Sequence, residues 1–441
     1  MRTHLSNAAY GMLDYGAYPL GMLAIAPVVL RNLGVAQYGV WMVATATVST
    51  GGIVASGFGD ANIQHVASRR GAGDHGALLR AVRSMMGINL VLGVLFAAIG
   101  WMLSPLAAAH VTAADSGLRQ SCLWSLRIAS VLMAVRAVES VCVSTQRAFE
   151  RYGAAVRISI LARLLALATA AGLTFVSHNV SAMMAATGLL MVVGLWIQLI
   201  YLKQLLAAES LMPAFDRGAI RVLLAFGIFS WLQAVSGVVF GQVDRLMLGV
   251  SLGAAAVASY ALCAQMAQPV FGFAASGLHF LFPYLAHRNA SSSAASLRSP
   301  VLIAFSCNAI FVVVTTGLLL FFGDSILHAW AGAEIARGAA SVLAIIVWSS
   351  ALMGLNVTAT YALLALGRVR VVTWVNLAGG AVMLLLIFFL TPRFGIRGIA
   401  IARLVYGLIT LAMYYPLART LFDISNVPRQ ASGVYPVCED A

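Results

Sequence analysis

The sequence predicts an all-α polytopic membrane protein of about 12 transmembrane helices, in two six-helix lobes around a central cavity. Three observations predict it. Of the 441 residues 61% are hydrophobic and only 9% are charged, against about 25% charged in soluble proteins. Apolar runs of ~20 residues, the length that crosses a bilayer core, recur along the whole chain. Four arginines, Arg127, Arg136, Arg163 and Arg403, lie inside such runs. Each would cost roughly 2.5–3.5 kcal/mol at the bilayer centre on insertion scales, so they are expected to turn away from lipid.

The runs fall at 10–30, 38–58, 82–103, 122–144, 158–177 and 180–201 in the first half. In the second they fall at 220–242, 256–285, 300–323, 340–364, 371–391 and 398–418. Each is taken as a helix because length and continuous apolarity, with few charges, are what the bilayer demands. The first carries Pro19 and Pro27, which kink a helix and free backbone carbonyls. The polar stretch 203–219 separates the two sets of six. The expected organisation is therefore an N-terminal lobe at 1–202, a cytoplasmic linker at 203–219, a C-terminal lobe at 220–418 and a cytoplasmic tail at 419–441.

With the N-terminus inside, the inner segments hold 17 basic residues and the outer segments six. That asymmetry predicts both termini in the cytoplasm. Net charge is +13, yet no basic tract resembles a nucleic-acid-binding arm, so no nucleic-acid partner is expected. The five cysteines and eight histidines show no ligand spacing, which argues against a disulfide framework or a metal site. No Walker A lysine motif occurs, and the loops are too short for the acidic catalytic domain of a membrane glycosyltransferase. The chain is not expected to be an enzyme, and no cofactor is expected beyond coupling to H⁺ or Na⁺.

Arg136 and Glu139 stand three apart on the fourth run and can pair on one helix face. They line a wet cavity, or they form an ion pair holding this helix to the first or second. The nine-residue step to Arg127 is 2.5 turns, so Arg127 points elsewhere and can snorkel at the outer end. Arg163, near the inner end of the fifth run, is read as snorkelling. Arg403 lies about one turn from the outer face of the twelfth. Arg136, Arg127 and Arg403 are the candidate cationic, cargo-binding residues. Asp14, Glu139, Asp244 and Arg245 are the candidate gating or coupling residues. For Asp14 a hydrated place at the inner interface stands beside that role, and for Asp244 a plain helix-end role. An anionic cargo suits arginine, whose planar fork donates paired hydrogen bonds. Gln233, Gln242, Gln265, Gln268, Asn308, Asn356, Tyr361 and Asn376 are neutral polar groups within the runs.

Several segments carry a resemblance. Leu33-Gly34-Val35-Ala36-Gln37-Tyr38-Gly39-Val40-Trp41 resembles the first outer loop of bacterial polysaccharide transporters. The segment from Gly57 to Asp74 is similar to their second-span exit and inner loop. Gln242-Val243-Asp244-Arg245, leading to Tyr260, looks like their seventh/eighth-span hairpin. Leu33-Gly34 and the stretch Leu248-Gly249-Val250-Ser251-Leu252-Gly253, each a Leu-Gly turn followed by a tyrosine-bearing helix start, also suggest an internal repeat of parallel orientation. Weaker late matches are Trp330 to Glu334 and Gly395 to Ala400.

The resemblance is to the oligosaccharide flippase branch, the O-antigen and exopolysaccharide repeat-unit translocases, of the multidrug/oligosaccharidyl-lipid/polysaccharide superfamily. It implies alternating access in a bacterial inner membrane and an undecaprenyl-diphosphate-linked saccharide as cargo. It further implies a polysaccharide polymerase and glycosyltransferases as functional partners, beside the lipid bilayer itself. The competing expectation is a cation-coupled multidrug antiporter of the same architecture. That chemistry needs buried open carboxylates, against which stands the excess of intramembrane arginine.

Overall fold

The computed structural model describes residues 2–56, 58–113, 115–149, 151–216, 218, 231–232, 241–278, 281, 284–285 and 297–422. Among the described residues all regular structure is helical. In the first half lie α1 (Arg2–Leu33), α2 (Val35–Ser56), α3 (Gly59–Gly71), α4 (His75–Val111), α5 (Arg119–Ala148), α6 (Tyr152–Leu173) and α7 (Val180–Leu205). In the second half, residues 241–252 form α8. It is followed by α9 (Ala254–Leu278), α10 (Arg298–Ala331), α11 (Ala333–Ala365), α12 (Val369–Phe394), α13 (Ile396–Thr410) and α14 (Tyr414–Phe422). Eight of the described segments are long and apolar enough to cross a membrane. Eleven of the twelve predicted runs coincide with helices, and most of the seventh lies outside the described residues.

Polarity decides which helices sit in the middle. The 30-residue α5 carries Arg127, Arg136 and Glu139 and packs against α2, α4 and α7, which shield it from lipid. The next half is centred on α9 and α11, which pack on each other, and α9 also packs against α1 and α2. Tyr38, Trp41, Leu248 and Tyr260 are wholly or almost wholly buried in one continuous core that runs from α1 and α2 to α13. Lipid-facing helices show the opposite pattern: Val91, Val94, Leu95, Met102 and Leu106 on α4 are all exposed. A membrane-spanning surface is apolar because its solvent is hydrocarbon.

Successive helices meet at single glycines. Gly34 (φ +80°) separates α1 from α2, and Gly253 (φ +81°) separates α8 from α9. In both, the glycine N–H donates to the carbonyl four residues back, 2.9 Å to Leu30 and 3.1 Å to Gly249. The left-handed backbone there suits a residue without Cβ. Within the stretch Leu248–Gly253, the counterpart of Gly34 by backbone geometry is Gly253. Gly249 is instead an ordinary helical residue of α8 against Val43, Val111 and Val257.

Two features were absent from the sequence reading. The segment after α2 is the short amphipathic helix α3, whose Asn62 and Val66 are buried one turn apart. Asn62 donates to Ser144 Oγ at 2.7 Å and to Thr145 Oγ1 at 3.0 Å, docking α3 on α5. Non-helical chain begins at 206 rather than 203 and lies along the start of α4. There Arg83 Nε donates to the Met212 carbonyl at 2.9 Å, and the Ala214 N–H to the Arg83 carbonyl at 3.1 Å.

Candidate functional site

Two cavities adjoin in the centre of the helical bundle. The first, of about 240 Å³, is bounded by α1, α2, α5, α6, α7, α8 and α9, with Arg136, Arg163, Trp41 and Thr45 in its wall. The second, of about 360 Å³, is bounded by α8, α9, α11, α12 and α13, with Asn356, Asn376, Arg403 and Tyr406 in its wall. Gln242, Arg245 and Gln268 line both. Gln242 and Arg245 stand three apart on α8, as do Gln265 and Gln268 on α9, so each pair shares a face.

Carboxylates and guanidinium groups are distributed unevenly around this space. Glu139 is buried, with 8% of its surface exposed, and lies behind the first cavity. Arg136 Nη1 donates to its Oε2 at 2.7 Å, and Ser159 Oγ donates to its Oε1 at 2.9 Å. The Nη2 of Arg163 approaches Oε1 at 3.9 Å. Two guanidinium groups thus share one carboxylate. A buried polar chain continues behind them: Gln198 Nε2 donates to Ser159 Oγ at 3.2 Å, and Gln146 donates to Gln198.

Asp244 is fully buried. Its Oδ2 accepts from Arg403 Nη1 and from the Tyr260 hydroxyl, both at 2.6 Å, and its Oδ1 accepts from the Arg245 backbone N–H at 2.8 Å. Desolvated charges persist only when they are paired and hydrogen-bonded, and this carboxylate is both. The pair ties α8 to α13, with Tyr260 adding α9. Arg245 has no such counter-ion: among the described residues no carboxylate pairs with its side chain, and its buried Nε lacks a hydrogen-bond partner. The buried Oε1 of Gln242, one turn away, is likewise without a partner among the described residues. Arg245 is therefore a cation in the wall shared by both cavities that no carboxylate among the described residues offsets.

The predicted residues sort as follows. Arg136 and Arg403 reach cavities, but Arg403 is committed to Asp244. Arg127 lines neither cavity; its guanidinium stacks over Trp101 at 4.9 Å and Trp124 at 5.2 Å, two half-exposed tryptophans. Helical phase sends it to the opposite side of α5 from Arg136, so it is withdrawn from the cavity set. Arg163 does not snorkel; Glu139 draws it inward across α5 and α6. Arg245, expected as a gating or coupling residue, is the cation common to both cavities. The Gln242/Arg245 spacing could have signalled it. The side chain of Asp14 lies outside the described residues, as does Gln233. Asn308 bonds the Gly354 carbonyl and Thr358 and joins α10 to α11.

Comparison with known proteins agrees with this architecture. No curated protein matches the chain. Among solved structures, the lipid II flippase MurJ in an inward closed conformation aligns with a TM-score of 0.72 at 11% identity, covering 94% of this chain and 86% of that one. An inward-facing multidrug resistance MATE family transporter of the MOP superfamily aligns at 0.69 and 14%, covering 94% and 96%. The MATE multidrug transporter DinF-BH aligns at 0.68 and 15%, covering 96% and 97%. At these identities the likeness establishes the fold. The family model described as "Polysaccharide biosynthesis protein" matches residues 6–288. With most of its length inside that match, the chain belongs to the polysaccharide biosynthesis protein family.

Proposed function

We propose that this protein carries an anionic, polyprenyl-diphosphate-linked oligosaccharide across the bacterial inner membrane by alternating access. The observation that carries the reading is Arg245, a cation without a carboxylate partner among the described residues, in the wall shared by both cavities. A guanidinium in a low-dielectric cavity attracts phosphate oxygens more strongly than it would in water. Family membership and the likeness to a lipid II flippase support a lipid-linked saccharide rather than a free one. The lipid tail stays in the bilayer while the head group occupies the cavity. The helices up to 205 and those from 241 then act as the two rocking bodies, with both termini in the cytoplasm.

Cation-coupled drug antiport fits the site less well. It needs open carboxylates for organic cations and protons. Glu139 and Asp244, the cavity-side carboxylates among the described residues, are each held by arginine. Coupling of the return step to H⁺ or Na⁺ would have to involve Glu139 leaving its arginines, or Asp14.

The test is transport in vesicles. Purified protein is reconstituted with fluorescent undecaprenyl-diphosphate-linked saccharide and, separately, with a cationic dye. The reading expects head-group translocation that Arg245→Ala and Arg136→Ala abolish, and no dye movement. Dye transport without saccharide movement overturns it.

A further inference from the structure

Arg127 lines neither cavity, and its surroundings on the lipid-facing side of α5 have a chemistry of their own. Its depth follows from helix geometry. At ~1.5 Å per residue it lies ~30 Å along α5 from Arg147, the thickness of a bilayer's hydrocarbon core. By the same measure Trp101 lies ~27 Å along α4 from Arg83. Arg127 and Trp101 therefore meet where hydrocarbon gives way to headgroups. Trp101 and Trp124 are 40% and 43% exposed. Half-exposed tryptophans are what that boundary favours, because the ring prefers hydrocarbon and the indole N–H prefers water.

The sequence builds this spot rigidly. A Cβ on Gly93 would lie 2.8 Å from Ala137 Cβ, and one on Gly100 would lie 2.6 Å from Ser130 Oγ, so α4 and α5 pack without a gap beneath it. Pro105 cannot donate to the Trp101 carbonyl four residues back, and Ser104 Oγ donates there instead at 2.7 Å. The Arg127 guanidinium stands over the Trp101 and Trp124 rings. No carboxylate among the described residues pairs with it, and its buried Nε has no hydrogen-bond partner among them. Aromatic rings attract the cation but accept no ordinary hydrogen bond, so a full positive charge and unused donors remain. Toward the membrane centre, Val131 lies one turn from Arg127 and Val94 two turns from Trp101, both half exposed. A cation thus stands above a lipid-facing apolar strip.

We propose that Arg127, Trp101 and Trp124 form a docking site for one anionic phospholipid. Its phosphodiester meets the guanidinium, and its acyl chains lie along Val131 and Val94. Charge selects this occupant. A zwitterionic lipid carries an ammonium beside its phosphate, whereas an anionic lipid brings an uncompensated negative charge to a cation that lacks one. Arginine holds phosphate oxygens through charge-assisted hydrogen bonds, and these strengthen as water is excluded by the two rings. In the orientation proposed above, the lipid belongs to the outer leaflet. The site stands apart from both cavities, so it ties the protein to membrane composition rather than to cargo.

The experiment places the intact purified protein in phosphatidylcholine discs that contain a minor lipid with brominated acyl chains. Bromine quenches tryptophan emission on contact. The minor lipid is phosphatidylglycerol in one series and phosphatidylcholine in the other. Wild type is expected to reach half-maximal quenching at about tenfold less phosphatidylglycerol, the lower end of what charge-assisted hydrogen bonds give. Arg127→Leu should erase the difference between the two lipids. Arg119→Leu should keep it, because Arg119 is an exposed arginine about two turns further out on α5. Soluble glycerol phosphate should not relieve the quenching. The site is overturned if wild type treats both lipids alike, if Arg127→Leu still prefers phosphatidylglycerol, or if Arg119→Leu loses the preference as fully. Relief by glycerol phosphate overturns it too, since the site would then take a free anion. Thermal midpoints confirm that the variants are folded, and Arg127→Gln repeats the comparison should leucine unsettle the helix pair.

Discussion

Asp244 and Arg245 are adjacent in the chain, about 100° apart on one helix, and face different surroundings. Asp244 turns into the core and takes Arg403 at 2.6 Å, while Arg245 turns into the wall shared by both cavities. Neighbours on a helix cannot face each other, so each must find its partner elsewhere. Asp244 finds Arg403 and Tyr260. Arg245 has no carboxylate partner among the described residues.

Breaking the Asp244–Arg403 pair should cost stability before it costs binding. Removing one partner of a buried pair leaves an uncompensated charge, a loss of about 3–5 kcal/mol. Arg403→Met and Asp244→Leu are each expected to lower the thermal midpoint sharply. The double variant should recover most of the loss, since no stranded charge remains. A double variant as unstable as the sum of the singles would show that the pair is not the cause.

Gly39 sets how closely the two halves approach. A Cβ at this position would lie 1.8 Å from the Ala254 carbonyl oxygen, the start of α9. Tyr38 beside it donates to Gln265 Oε1 at 3.3 Å across the same contact. Gly39→Ala should hold α2 and α9 apart and shift the population toward a state open at that end. Spin labels at exposed positions on either side of the Gly34 and Gly253 turns would read this as a longer distance. An unchanged distance distribution contradicts it.

Glu139→Gln should tighten anion binding and loosen the fold. The carboxylate offsets one of two clustered guanidinium groups. Its removal takes one negative charge from between Arg136 and Arg163, and raises the charge offered to a diphosphate. Several-fold tighter retention of undecaprenyl diphosphate is expected, with a lower thermal midpoint. Weaker retention would mean that Glu139 acts by fixing the two arginines in place.

Arg127→Leu should leave transport unchanged. Its cation–π contacts with Trp101 and Trp124 are worth about 0.5–1 kcal/mol each at exposed sites, so only a small fall in thermal midpoint is expected. A transport defect as deep as that of Arg136→Ala would return Arg127 to the cargo path.

Helix positions were legible in the sequence because the bilayer imposes one length and one polarity on every crossing. The pairing of Arg136 with Glu139 was legible because local helix geometry alone determines it. The partners of Asp244 and Arg163 were not. Arg403 lies 159 residues from Asp244 and Arg163 lies on the next helix, and only tertiary packing brings either to its carboxylate. The place of Arg245 in the cavity wall was hidden for a related reason. An arginine near a helix end counts as a loop charge until the helix is known to continue past it, as α8 does to residue 252. The α3 segment was missed because its buried face is a single amide, Asn62, and one valine, too short a pattern to stand out in a polar stretch.

The central claim is that Arg245 holds a negatively charged head group. Equilibrium binding of undecaprenyl diphosphate to wild type, Arg245→Ala and Arg245→Lys tests it most directly. Loss of charge-assisted hydrogen bonds worth about 1.5–3 kcal/mol predicts a 10- to 100-fold weaker alanine variant, with lysine between. Equal affinity in all three, at unchanged thermal stability, would contradict the account.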